Sequence, residues 1–84
     1  MTDLDGTFAE AQRLLAGLVT GEVSPQQAAN WAMPKYADDQ AGYHTHDKLW
    51  TALDRLAGAD LHQAPGVYLH GSDDFRAWLA EAQA

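Results

Sequence analysis

Cysteine is absent from the 84-residue chain, so neither a disulfide nor a thiolate metal site can brace the fold. Basic side chains are scarce: five Lys and Arg stand against twelve Asp and Glu, for a formal charge of −7. A surplus of this sign repels phosphate backbones and acidic membranes and attracts basic proteins. The expectation is therefore no direct nucleic acid, no membrane and a basic protein partner. Long apolar runs are also missing, whereas a bilayer span needs ~20 such residues. Residues 1–10 hold acids and no basic segment ahead of an apolar one, so no secretory signal is read there. A cytoplasmic location is expected. What the chain does have is 46% apolar content with three Trp, enough for one folded domain over residues 1–84.

Apolar spacing predicts an all-α fold, a small four-helix bundle with an irregular loop before the last helix. Leu4, Phe8, Ala11, Leu15 and Leu18 recur at helical steps and end at Gly21, a residue suited to the left-handed cap. Thr7 to Glu10 has capping-box spacing, while Asp3 or Asp5 offers an earlier start. Ser24-Pro25-Gln26-Gln27 places cap, first-turn proline and box glutamine in order, opening a second helix that kinks or ends near Met33 because of Pro34. Residues 37–46 show no period and read as a loop. Thr45 or Asp47 then caps a third helix carrying Leu49, Trp50, Leu53, Leu56 and Ala57 and closed by Gly58. Pro65-Gly66 marks a turn, with Val67-Tyr68-Leu69 a short extended piece held by apolar contact. Ser72, with Asp73 and Asp74, opens the fourth helix, whose stripe is Phe75, Trp78, Leu79 and Ala82.

Chemistry is sparse. Asp3-Leu4-Asp5-Gly6-Thr7 matches the nucleophile loop of haloacid-dehalogenase-type phosphatases, but no apolar strand precedes it and no βα units follow. It reads as a helix entry. The same run lacks the distant bidentate Glu of a calcium loop. His44-x-His46 beside Asp47 is the one candidate metal cluster, and loop histidines beside solvent explain it as well. Ser24 and Ser72 are occupied as caps, and the pairs Asp38-Asp39 and Asp73-Asp74 diverge. No catalytic residue, metal or cofactor is assigned. A helix-turn-helix formed by the second and third helices is set aside, because Lys48 and Arg55 are offset by Asp47 and Asp54.

What remains is an acidic surface interleaved with tyrosine. Acids steer a basic partner and tyrosines anchor it, so Asp38, Asp39, Tyr43, Asp47, Asp60, Tyr68, Asp73 and Asp74 are the expected partner-binding residues. Dispersed acids serve solubility and capping equally well.

The pattern Leu14-Leu15-x-x-Leu18, Gly21-x-Val23-Ser24, Trp31, Leu49-Trp50-x-x-Leu53-Asp54-x-Leu56, Asp60 and Asp74-Phe75-x-x-Trp78-Leu79 resembles the small helical bacterial immunity proteins of the colicin D type. It covers about residues 11–82. Pro34 and the stretch Val67 to Gly71 depart from it. The resemblance implies an inhibitor that occludes the active site of a basic cognate toxin, a nuclease, as a monomer or weak dimer. A rival expectation is a non-catalytic adaptor or assembly subunit binding through an exposed aromatic patch, one of Trp31, Trp50 and Trp78 facing the partner.

Overall fold

The computed structural model describes residues 3–38 and 40–84. Four helices, α1 (Leu4–Thr20), α2 (Pro25–Tyr36), α3 (Asp47–Ala57) and α4 (Ser72–Gln83), form the all-α bundle expected. Two short strands, β1 (His62–Ala64) and β2 (Val67–Tyr68), make an antiparallel hairpin between α3 and α4.

The core is built from small and branched residues. Leu49, Leu53 and Leu56 of α3 are wholly buried, as are Leu15 of α1 and Ala28 and Ala32 of α2. Helix α3 takes α2 on one side and α1 on the other, while α4 rests chiefly on α1. Phe75, Trp78 and Ala82 bring α4 into the same cluster. Helix α2 contributes Ala28 and Ala32 to this core, with Trp31 and Tyr36 half-buried against it.

The helix ends show which local choices won. Asp3 caps α1, its carboxylate accepting from the Gly6 N–H at 2.8 Å, so the phosphatase-like run is a helix entry. At the other end Gly21, with φ +87°, donates to the Gly17 carbonyl at 2.9 Å, and Val23 donates to the same oxygen at 3.1 Å. The α2 capping box forms as expected, Ser24 and Gln27 exchanging bonds of 2.8 and 3.1 Å.

Three local expectations are corrected, and of the two outcomes expected at Pro34 an end near Met33 does not occur: helix α2 runs through Pro34 to Tyr36. Proline removes the bond to the Asn30 carbonyl, which the helix tolerates because both residues are exposed to solvent. Helix α3 is capped by neither Thr45 nor Asp47: the His46 ring accepts from the Leu49 N–H through Nδ1 at 3.2 Å. The preceding loop tightens into one 3-10 turn at Tyr43–Thr45. Ser72 lies inside α4, whose cap residue is Gly71.

Gly17 is the tightest point of the α1–α2 connection. A Cβ there would collide with the Val23 side chain, whose backbone N–H is bonded to the Gly17 carbonyl. Replacing Gly17 with Ala is expected to lower stability by about 1–3 kcal/mol through overpacking, despite alanine's higher helix propensity. Urea denaturation followed by circular dichroism measures it; unchanged or raised stability would show that the loop yields freely.

Candidate functional site

The expected partner-binding residues are distributed among local duties. Asp38 accepts from the Gln40 and Ala41 amides at 3.1 and 3.2 Å, shaping the loop. Asp39 lies outside the described residues. Tyr43 is half-buried against the core, and Asp60 is half-buried beyond the end of α3. Asp47 stands in the first turn of α3 and Asp73 in that of α4, where Asp73 pairs with Arg76 at 3.2 Å. Asp74 accepts from the Gly71 N–H at 3.2 Å and lies 3.3 Å from His70 Nδ1. Tyr68 is on the hairpin, stacked on His62 at 4.6 Å. Only Asp73 and Asp74 are neighbours in the chain at one helix start.

The three tryptophans do not form an exposed patch. Trp78 is buried beside Phe75 and His70. Trp50 stacks on Tyr36 with ring centres 4.6 Å apart, and Trp31 lies under the Lys35 ammonium, 4.3 Å from its ring centre. His46 spends Nδ1 on the α3 cap and sets its ring 4.8 Å from Phe8, whereas His44 meets the edge of Trp50. Among the described residues no three His, Asp or Glu gather closely enough to hold a metal. None of the helices in them is long and apolar enough to cross a membrane.

Most cations are paired off within the fold, as the acids are. Arg13 forks onto Glu10 and holds that carboxyl below its ordinary range, chiefly by hydrogen bonding. Arg55 reaches Glu81 at 3.4 Å, and Lys35 donates to the Trp31 carbonyl at 3.3 Å. Lys48 lines an open cleft of about 150 Å³ between α3 and α4 with Asp47, Thr51, Trp78 and Glu81.

One helix, by contrast, carries no acidic residue. Helix α1 holds Asp5 and Glu10, α3 holds Asp47 and Asp54, and α4 holds Asp73, Asp74 and Glu81; α2 holds no carboxylate. The acid-free stretch extends from Val23 to Ala37, between Glu22 and Asp38. Ala28, Ala29 and Ala32 turn inward, which leaves Gln26, Asn30 and Met33 as a solvent-facing stripe at i, i+4 and i+7, with Gln27 and Pro34 beside it. Each glutamine or asparagine carries paired donors and acceptors, the equipment for bidentate bonding to a base edge. Counting cations from the sequence missed this face. The usable signal was the gap in the acids, overlaid on helical periodicity.

The sequence profile of a family described as "YxzC DNA-binding protein" matches residues 2–82. The uncharacterised protein YxzC of Bacillus subtilis (strain 168) is 29% identical over 68 residues, covering 80% of this chain and 54% of that protein. The chain thus spans about half the length of the curated relative it matches. No solved structure matches. These findings overturn the colicin D immunity resemblance and, with it, the toxin-inhibitor function and the basic toxin partner. A family described as DNA-binding also conflicts with the expectation of no direct nucleic acid, and nothing supports the adaptor. That expectation failed physically because net charge governs long-range attraction, whereas a contact is decided by the face that makes it.

Tyr36 supplies a local probe of the α2–α3 seam. Attraction of its hydroxyl to the Asp54 carboxylate, by hydrogen bonding and by negative charge, pushes the phenol above its ordinary value. A raised folded-state value means the interaction supports the fold below it and is lost as pH climbs through it. In an ultraviolet absorbance titration Asp54→Asn is expected to lower the Tyr36 midpoint. An unmoved midpoint would place the carboxylate elsewhere.

Proposed function

This chain belongs to the family of YxzC DNA-binding proteins, and we propose that it contacts duplex DNA through the solvent face of α2. The observation that carries the reading is the absence of any carboxylate from α2 in a chain of net charge −7. Any other helix brings Asp or Glu toward phosphates.

In this arrangement α2 lies in the major groove. Gln26 and Asn30, one turn apart, meet adenine edges, where an amide donates to N7 and accepts from the N6 amine. In that adenine pairing the amide nitrogen is the donor and its oxygen the acceptor. Met33, itself 55% exposed, continues the stripe and packs on apolar base surface. The first turn of α2 carries no acid, so its dipole favours a phosphate there, and Gln26 still offers an amide. Lys35 is drawn back over Trp31 on the opposite side, so base contacts outweigh phosphate neutralisation. Affinity is modest, and its selectivity depends on the amides. Such a contact fits a cytoplasmic protein.

Two signatures follow. Replacing Gln26 and Asn30 by Ala is expected to cost about 1–3 kcal/mol for each bidentate pairing removed, roughly 5- to 150-fold in affinity. The salt dependence is expected to be shallow, with a log–log slope of about −2 or flatter, since few counterions are released. Fluorescence anisotropy with a pool of labelled random duplexes, from 20 to 200 mM salt, reads both. Absence of binding at about 0.1 mM protein, or binding indifferent to the α2 substitutions, overturns the proposal.

A further inference from the structure

His46 can cap α3 only while its ring is neutral, and we infer that proton uptake there exchanges one partner for another, releasing the first turn of α3 and drawing the ring toward Asp5 of α1. The inference does not rest on DNA contact.

The contacts of the ring describe its neutral setting. Nδ1 accepts from the Leu49 N–H at 3.2 Å, satisfying an amide that the start of a helix leaves without an internal partner. Nε2 lies 4.0 Å from a carboxylate oxygen of Asp5. The ring is tilted against Phe8 with centres 4.8 Å apart. An uncharged imidazole accepts at one nitrogen only when its proton sits on the other, so the hydrogen is on Nε2, on the side of Asp5.

Protonation undoes this cap. Imidazolium donates at both nitrogens and accepts at neither, so the Leu49 amide loses its partner. The new charge also stands at the positive end of the α3 dipole. Ser, Thr or Asn at this position would cap without titrating; histidine makes the cap conditional on pH. The charged ring gains an attractive neighbour in return. Its side chain is 26% exposed and that of Asp5 99%, so protons reach the ring and the carboxylate is able to follow it.

The surrounding elements confine the change to one turn. Asp47 and Lys48 follow His46 on α3, and Tyr43 and His44 precede it in the 3-10 turn. Helix α4 brings Glu81 to the cleft that Asp47 and Lys48 line, while Lys35, the charged side chain of α2, is drawn back over Trp31. Asp5 and Asp47 favour the charged ring, whereas Lys48 and the helix dipole oppose it. The backbone joint holds in either form, because Trp50 donates to the His46 carbonyl at 2.8 Å. Leu49, Leu53 and Leu56 keep α3 seated in the core. The released turn carries Asp47 and Lys48, so the mouth of the α3–α4 cleft changes with it.

Nuclear magnetic resonance of the full chain from about pH 7.5 to about pH 5.5, either side of the ordinary imidazole value of about 6.5, tests the inference. At the upper end the His46 nitrogens are expected to show the Nε2–H tautomer. As the ring takes up its proton, the Leu49 amide resonance is expected to move with the same midpoint. Its protection from solvent exchange falls at least about threefold relative to Leu53, and Overhauser contacts from the ring to Asp5 strengthen. His46→Asn keeps a capping side chain that does not titrate, and is expected to hold the Leu49 resonance fixed. His44, His62 and His70 still titrate in that variant, so a response owed to them would persist there. In Asp5→Asn the cap is still lost, but the ring no longer moves toward α1. An Nδ1–H tautomer at the upper end overturns the inference. So does a Leu49 amide indifferent to ring protonation, an undiminished response in His46→Asn, or a charged ring that does not approach Asp5.

Discussion

The close seating of α2 on α3 is the constraint from which the remaining features follow. Ala28 and Ala32 share one buried cluster with Leu49, Leu53 and Leu56, and Ala29 is buried as well. They hold α2 in one rotational setting. A larger residue at any of the three would lift the helix or turn it, because a core packed to crystal density has no slack. With that setting fixed, the amide stripe can face only outward.

Electrostatics then distinguishes the surfaces. The carboxylates at helix starts serve the helix dipoles, Asp3 and Asp74 through direct bonds to backbone amides. Others tie up the guanidinium groups of Arg13, Arg55 and Arg76. Exposed pairs of this kind contribute little stability, but they remove the cations that would otherwise bind phosphate. The faces left without acids are the α2 amides and the hairpin.

Much of the scaffold was legible in the sequence alone. Gly21, the Ser24-Pro25-Gln26-Gln27 start and the Leu49/Leu53/Leu56 stripe each point to one local conformation, and packing agrees with all three. The His46 cap was not legible, since an imidazole accepts an amide bond only when the ring is positioned by a neighbour, here Phe8. Pairing of β1 with β2 escaped notice because three- and two-residue strands are too short for an alternating pattern. The candidate site was missed for a different reason: steering arguments weigh total charge, while α2 is distinguished by what its face omits. The tryptophan expected at the surface was instead drawn inward, each of the three having a ring or ammonium neighbour.

The central claim, that α2 is the face presented to DNA, is most directly tested by titrating isotope-labelled protein with a short duplex and following backbone amide resonances. The account predicts shifts concentrated on Gln26 to Met33 and their immediate neighbours, with α4 silent. Shifts centred on α4 or on the α3–α4 cleft, or no change at saturating duplex, would contradict it.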